Sequence, residues 1–84
     1  MTYRVKFTGP SAARQFHELP PEAQDALVRR VVALTEAPWD DVRLVPPGED
    51  PSFRTTQFGE NGLLVFFVDE DEAHIGLHLM VWVG

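Results

Sequence analysis

The sequence has no cysteine, so neither a disulfide framework nor a thiolate metal site is available to it. It has no apolar run of the ~18–20 residues a membrane helix needs, and its most apolar region is interrupted by Asp69-Glu70-Asp71-Glu72. The opening Met1-Thr2-Tyr3-Arg4-Val5-Lys6 lacks the apolar core of a secretory signal, which predicts a cytoplasmic protein with no membrane partner. Glycine-rich phosphate loops, internal repeats and low-complexity tracts are also missing, and no cofactor is expected. Positive charge is scarce. Seven Lys and Arg face thirteen Asp and Glu, giving a net charge of −6 and a pI near 4.8. That balance opposes docking on a large RNA, where cations must neutralise phosphates.

What is present is ordinary globular material, 44% hydrophobic and 24% charged in 84 residues, enough for one domain over residues 1–84. A chain this short buries only about 60–65% of its unfolded surface, so its stability margin is thin. The chain is organised around two apolar arms, Gly62 to Asp69 and Ala73 to Val83, joined by the acidic turn. They read as a β-hairpin because both are rich in β-branched and aromatic residues. Strict alternation in the second arm puts Ile75, Leu77, Leu79, Val81 and Val83 on one face, which needs a helix layer over it. His74, Gly76, His78, Met80 and Trp82 then fall on the other, mixed face.

Ahead of the hairpin, Tyr3, Val5 and Phe7 alternate with Arg4, Lys6 and Thr8 as a strand, stopped by Gly9-Pro10. Ser11 can cap a short helix whose apolar stripe is Ala12, Phe16 and Leu19. Pro20-Pro21 ends it and starts a second helix, with Ala23, Leu27, Val31 and Leu34 as its buried stripe, widened by Val28 and Val32, and Pro38 as its stop. Trp39-Asp40-Asp41 is a turn, Val42–Val45 a short strand or an extended connection, and 46–51 a proline loop. Phe53–Phe58 is a strand. Asn61-Gly62 is a favoured hairpin pair leading into the first apolar arm. The order predicts an α+β domain: strand, helical hairpin, then a three- or four-stranded antiparallel sheet with both helices on one face. The first strand is expected at an edge or beside the last.

This pattern resembles the RelE/ParE superfamily of type II toxin–antitoxin toxins. The resemblance runs over nearly the whole chain. It is carried by the strand Tyr3–Phe7, the helix with Ala12, Ala13 and Phe16, and the corner Leu19-Pro20-Pro21-Glu22. It continues through the long helix ending at Ala37-Pro38, then Phe53-Arg54, Gly59, and the apolar strand closing on Val68-Asp69. It implies a toxin-like component held by a cognate antitoxin, and either a metal-independent mRNA endoribonuclease using 2′-hydroxyl attack at the ribosome or a gyrase poison. Arg54 matches the first family arginine; Glu60-Asn61-Gly62-Leu63 supplies no second one, and no His-, Arg- or Tyr-bearing tail follows Val83.

On this reading Arg54 holds a scissile phosphate, His78 is the acid–base candidate, and Arg4, Lys6 and Arg43 are auxiliary RNA-binding cations. The plainer reading of Arg54 is a surface ion pair, and of His78 a hydrogen-bonded, partly buried histidine. Leu64, Phe66, Met80 and Trp82 are expected on a second apolar face that takes an antitoxin segment or a second copy of the chain. The plainer alternative is that Trp39 and the proline loop fold over that face. Asp69 to Glu72 is read as a solvated turn rather than a metal site, because adjacent carboxylates at a hairpin tip cannot all converge on one ion. The competing function is a non-catalytic interaction module or homodimer on the same scaffold.

Overall fold

A computed structural model describes residues 3–38, 43–44 and 53–83, with the backbone alone for 43–44. Strand β1 (Arg4–Phe7) is followed by helices α1 (Ala12–Glu18) and α2 (Pro21–Glu36). Then come β2 (Arg43–Leu44), β3 (Phe53–Phe58), β4 (Gly62–Asp69) and β5 (His74–Trp82). The sheet order is β1-β5-β4-β3-β2. Strands β2 to β5 are antiparallel neighbours, while β1 lies parallel to β5 with Arg4 opposite His74 and Phe7 opposite Leu77. The sheet is therefore mixed, and the first strand is both at an edge and beside the last. The expected Trp39 turn and the proline loop at 46–51 lie outside the described residues.

The helix pair forms where the prolines allow it. Pro21 occupies the first turn of α2, where a missing N–H costs nothing. Gln24 then reaches back, its side-chain amide donating to the carbonyls of Phe16 at 3.0 Å and His17 at 3.3 Å. Two carbonyls freed at the end of α1 are thereby satisfied. Ser11 holds the cap position of α1, but its hydroxyl makes no capping bond. The β3–β4 turn is set by Gly59 at φ +62°, a left-handed position, and not by the Asn61-Gly62 pair. Gly62 is instead a buried strand residue under the Phe58 ring.

Both helices cover the same face of the sheet. The core joins Ala12, Ala23, Leu27 and Leu34 of the helices to Phe58, Leu64, Phe66, Ile75, Leu77 and Met80 of the strands. Each large side chain removed from water here contributes about 1.5–3 kcal/mol. Ile75 and Leu77 face the helices as the alternation predicts, but Leu79, Val81 and Val83 do not. The ladder pairs Phe66 with Leu77 and Val65 with Leu79, leaving His78 as an extra residue in β5. This β-bulge moves every following side chain to the opposite face. Met80 is buried, and half-buried Trp82 stacks on Phe58 at 5.7 Å. The expectation that Leu64, Phe66, Met80 and Trp82 line a partner-binding face is thereby corrected. The helices cover all four, and the exposed apolar residues of the hairpin are Leu63, Leu79, Val81 and Val83. Val5, Phe7, Val28 and Val32 are exposed elsewhere, so Val28 and Val32 do not widen the buried stripe of α2.

Candidate functional site

The face of the sheet away from the helices, which no described element covers, is built from the residues that alternate with the core. From β1 it takes Arg4, Lys6 and Thr8, from β5 His74, Gly76 and His78, and from β4 Leu63, Val65, Phe67 and Asp69. From β3 come Phe53, Thr55 and Gln57. Directly opposed residues of neighbouring strands point the same way, so these pairings fix the face without further assumption.

At its centre Gly76 carries the ring of Phe67. A Cβ on Gly76 would lie 2.4 Å from that ring and 2.9 Å from the Thr8 methyl, so only glycine lets the aromatic lie flat here. Phe53 meets Phe67 edge-on at 6.0 Å and stacks on His78 at 4.8 Å with 30° between the planes. Phe67 in turn meets the imidazole of His74 edge-on at 5.8 Å. Two phenyl and two imidazole rings thus form a continuous row across three strands. His78 is exposed because the bulge lifts it out of the ladder. His74 is buried, with Asp69 Oδ2 and Glu72 Oε2 each 3.8 Å from its Nδ1.

Exposed Arg4 and Lys6 stand beside this row, opposite His74 and Gly76. With Val5, Glu72 and His74 they line a groove of about 280 Å³. A base can stack on such rings while cations hold its phosphate, a combination suited to single-stranded nucleic acid. The far end of the same face is different. Leu63 opposite Val81 and Val65 opposite Leu79 make an apolar stripe, extended by Val83.

Two of the cations anticipated from the sequence, Arg4 and Lys6, thus share a face with His78 but stand opposite His74 and Gly76. Arg43 pairs through its backbone with Thr55 on the other edge. Arg54 is elsewhere. It stands opposite Phe66 and in line with Thr56 and Phe58, on the side covered by the helices, and is half-buried. Its Nη1 donates to the Phe53 carbonyl at 3.0 Å. On that side Arg30 of α2 donates from Nε to Thr56 Oγ1 at 2.9 Å, tying helix to sheet. Phe53 and Phe67 were not singled out from the sequence. Their positions alternate with core residues, which was the available signal.

No protein-family model matches the chain, and no curated protein matches its sequence. Solved structures do. A chain of the RelBE2 toxin–antitoxin complex from Mycobacterium tuberculosis superposes with a TM-score of 0.85 at 21% identity, over 99% of this chain and 100% of the other. The RelE–RelB complex of Pyrococcus horikoshii gives 0.78 at 19%, over 100% and 98%. The isolated RelE toxin of Escherichia coli gives 0.80 at 15%, over 98% and 85%. The fold is that of the RelE toxins. Among the described residues, no helix is long and apolar enough to cross a membrane.

Proposed function

We propose that this chain is the toxin component of a toxin–antitoxin pair and that its open sheet face cleaves RNA without a metal. The observation that supports this most is the row Phe53–His78–Phe67–His74 beside Arg4 and Lys6, on the uncovered face of a RelE-like fold. In the proposed reaction the ribose 2′-oxygen attacks the adjacent phosphorus, the bond to the 5′-oxygen breaks, and a solvent water supplies the proton that the departing 5′-oxygen takes up. The products are a 2′,3′-cyclic phosphate and a free 5′-hydroxyl. His78, the exposed imidazole of the row, takes the 2′-hydroxyl proton, and Arg4 and Lys6 stabilise the charge gathering on the phosphate. Phe53 and His78 hold a base by stacking. An antitoxin segment occupies the stripe Leu63, Leu79, Val81 and Val83, withdrawing that apolar surface from water.

The test is induced expression in bacteria, with growth and RNA ends as readouts. The parent arrests growth and yields cyclic-phosphate ends. His78→Ala and the double variant Arg4→Ala/Lys6→Ala relieve the arrest, whereas Arg14→Ala, an exposed partner of Glu18 on α1, does not. Equal toxicity of parent and His78→Ala removes that imidazole from the reaction. The same stripe also supports a second reading, a non-catalytic homodimer. Sedimentation separates the two, because a stable dimer that loses mass on Leu79→Lys without any toxicity of the parent favours the module.

A further inference from the structure

We propose that Asp69, Glu72 and His74 form a divalent-cation site, suited to zinc, at the tip of the β4–β5 hairpin. It shares His74 with the ring row and faces Arg4 and Lys6, but its geometry stands whether or not the RNA reading holds. Asp69 and His74 are opposed across the hairpin, so both side chains leave on the same face. Four residues reverse the chain between them, closed by Ala73 in a left-handed conformation at φ 53°. The turn is braced by the Glu72 N–H, which donates to Asp69 Oδ1 at 3.2 Å. That bond leaves the other oxygen, Oδ2, facing His74. Glu72 Oε2 comes to the same imidazole nitrogen.

The independent observation is the histidine itself. Its side chain is 9% exposed, and its Nδ1 is aimed between two carboxylates without a hydrogen bond to either. Each Nδ1–carboxylate distance is 3.8 Å, too long for an N–H···O hydrogen bond, which runs to about 3.2 Å. The three ligand atoms all lie within 4.8 Å of one another. Zinc takes nitrogen and oxygen at about 2.0–2.2 Å in a tetrahedron, which sets donors about 3.4 Å apart. Closure of about 0.4 Å along each histidine–carboxylate line and of up to about 1.4 Å between the two carboxylates reaches that spacing, and the largely exposed Glu72 side chain can supply the larger movement. Calcium wants six or more oxygens and magnesium a strict octahedron, so one imidazole and two carboxylates suit zinc better. Arg4 and Lys6 face the site from β1 across the groove they share with Glu72 and His74. They oppose a bare cation and favour an anion or polarised water as its fourth ligand.

A bound ion would staple the end of β4, the turn and the start of β5. Titration of the full chain with zinc chloride in a calorimeter, together with thermal unfolding, tests this. The expected result is one zinc per chain and a raised Tm. Glu72→Gln and Asp69→Asn each weaken binding roughly tenfold or more, by analogy with the loss of supporting groups around metal sites. In nitrogen-15 spectra zinc moves His74 Nδ1 and leaves His17 and His78 in place. Absence of saturable binding overturns the proposal, as does unchanged affinity in Glu72→Gln, a variant of a solvent-facing side chain that leaves the core intact. Displacement of zinc by equimolar calcium overturns the assignment to zinc.

Discussion

Ala73 is held at φ 53°, where a Cβ crowds the following carbonyl, and the hairpin turn leaves it there. Ala73→Gly removes that crowding, while a freer unfolded chain offsets part of the gain. The expected outcome is a net stabilisation of about 0.5–1 kcal/mol, read as a higher Tm. Gly76 is the opposite case. Gly76→Ala drives a methyl into the Phe67 ring and the Thr8 methyl, and a destabilisation of about 1–3 kcal/mol is expected from such overpacking. The variant should also displace Phe67 and so weaken the stacking row, which binding of a short single-stranded RNA would report. Histidines 74 and 78 stood out in the sequence as residue types that carry chemistry. The glycine between them did not, because its role depends on a ring contributed by another strand.

Strand β5 shows how far alternation carries an element and where it stops. The period-two pattern places Ile75 and Leu77 correctly on the helix side, then runs one residue out of step after His78. No side chain in His78-Leu79-Met80 announces a bulge, because Leu, Met, Val and Trp suit either face. The same inversion explains why Met80 and Trp82 lie inside; Leu64 and Phe66 lie inside because β4 turns that face toward the helices. It also gives a sharp test. Leu79→Lys should change the stability of the isolated chain by no more than about 0.5 kcal/mol, as exposed substitutions do. Met80→Lys, which buries an unpaired charge, should cost several kcal/mol, on the order of the ~3–5 for a broken buried pair. Urea denaturation of the two variants distinguishes them, and strict alternation predicts the reverse ranking. The helical hairpin was more legible. Its prolines, caps and apolar stripe are local features, and Pro21, Leu27 and Leu34 sit as their spacing dictates.

For the whole molecule, the α+β order and the helices on one face could be read from the succession of elements. The parallel pairing of β1 with β5 could not, since it joins residues about seventy positions apart and leaves no local trace. Arg54 illustrates the same limit. Its residue type suggested a phosphate ligand, while the register of β3 against β4 turned it toward the helices. The charge balance carries a prediction of its own. With a net charge of −6 and, among the described residues, Arg4 and Lys6 as the cations beside the row, RNA binding should depend weakly on salt. Two neutralised phosphates on a single strand give a log–log slope of about −1.4, and fluorescence anisotropy across a salt series measures it. A much steeper slope would mean that cations elsewhere on the molecule share the contact.

The partnership of β1 with β5 also imposes an order on the birth of the molecule. The strand that sets His74 and Gly76 opposite Arg4 and Lys6 is made about seventy residues after them. A nascent chain can form its helices early, since they need only near neighbours, but cannot assemble the face on which its cations and imidazole meet. The open face of the sheet therefore forms only once translation has passed the final strand.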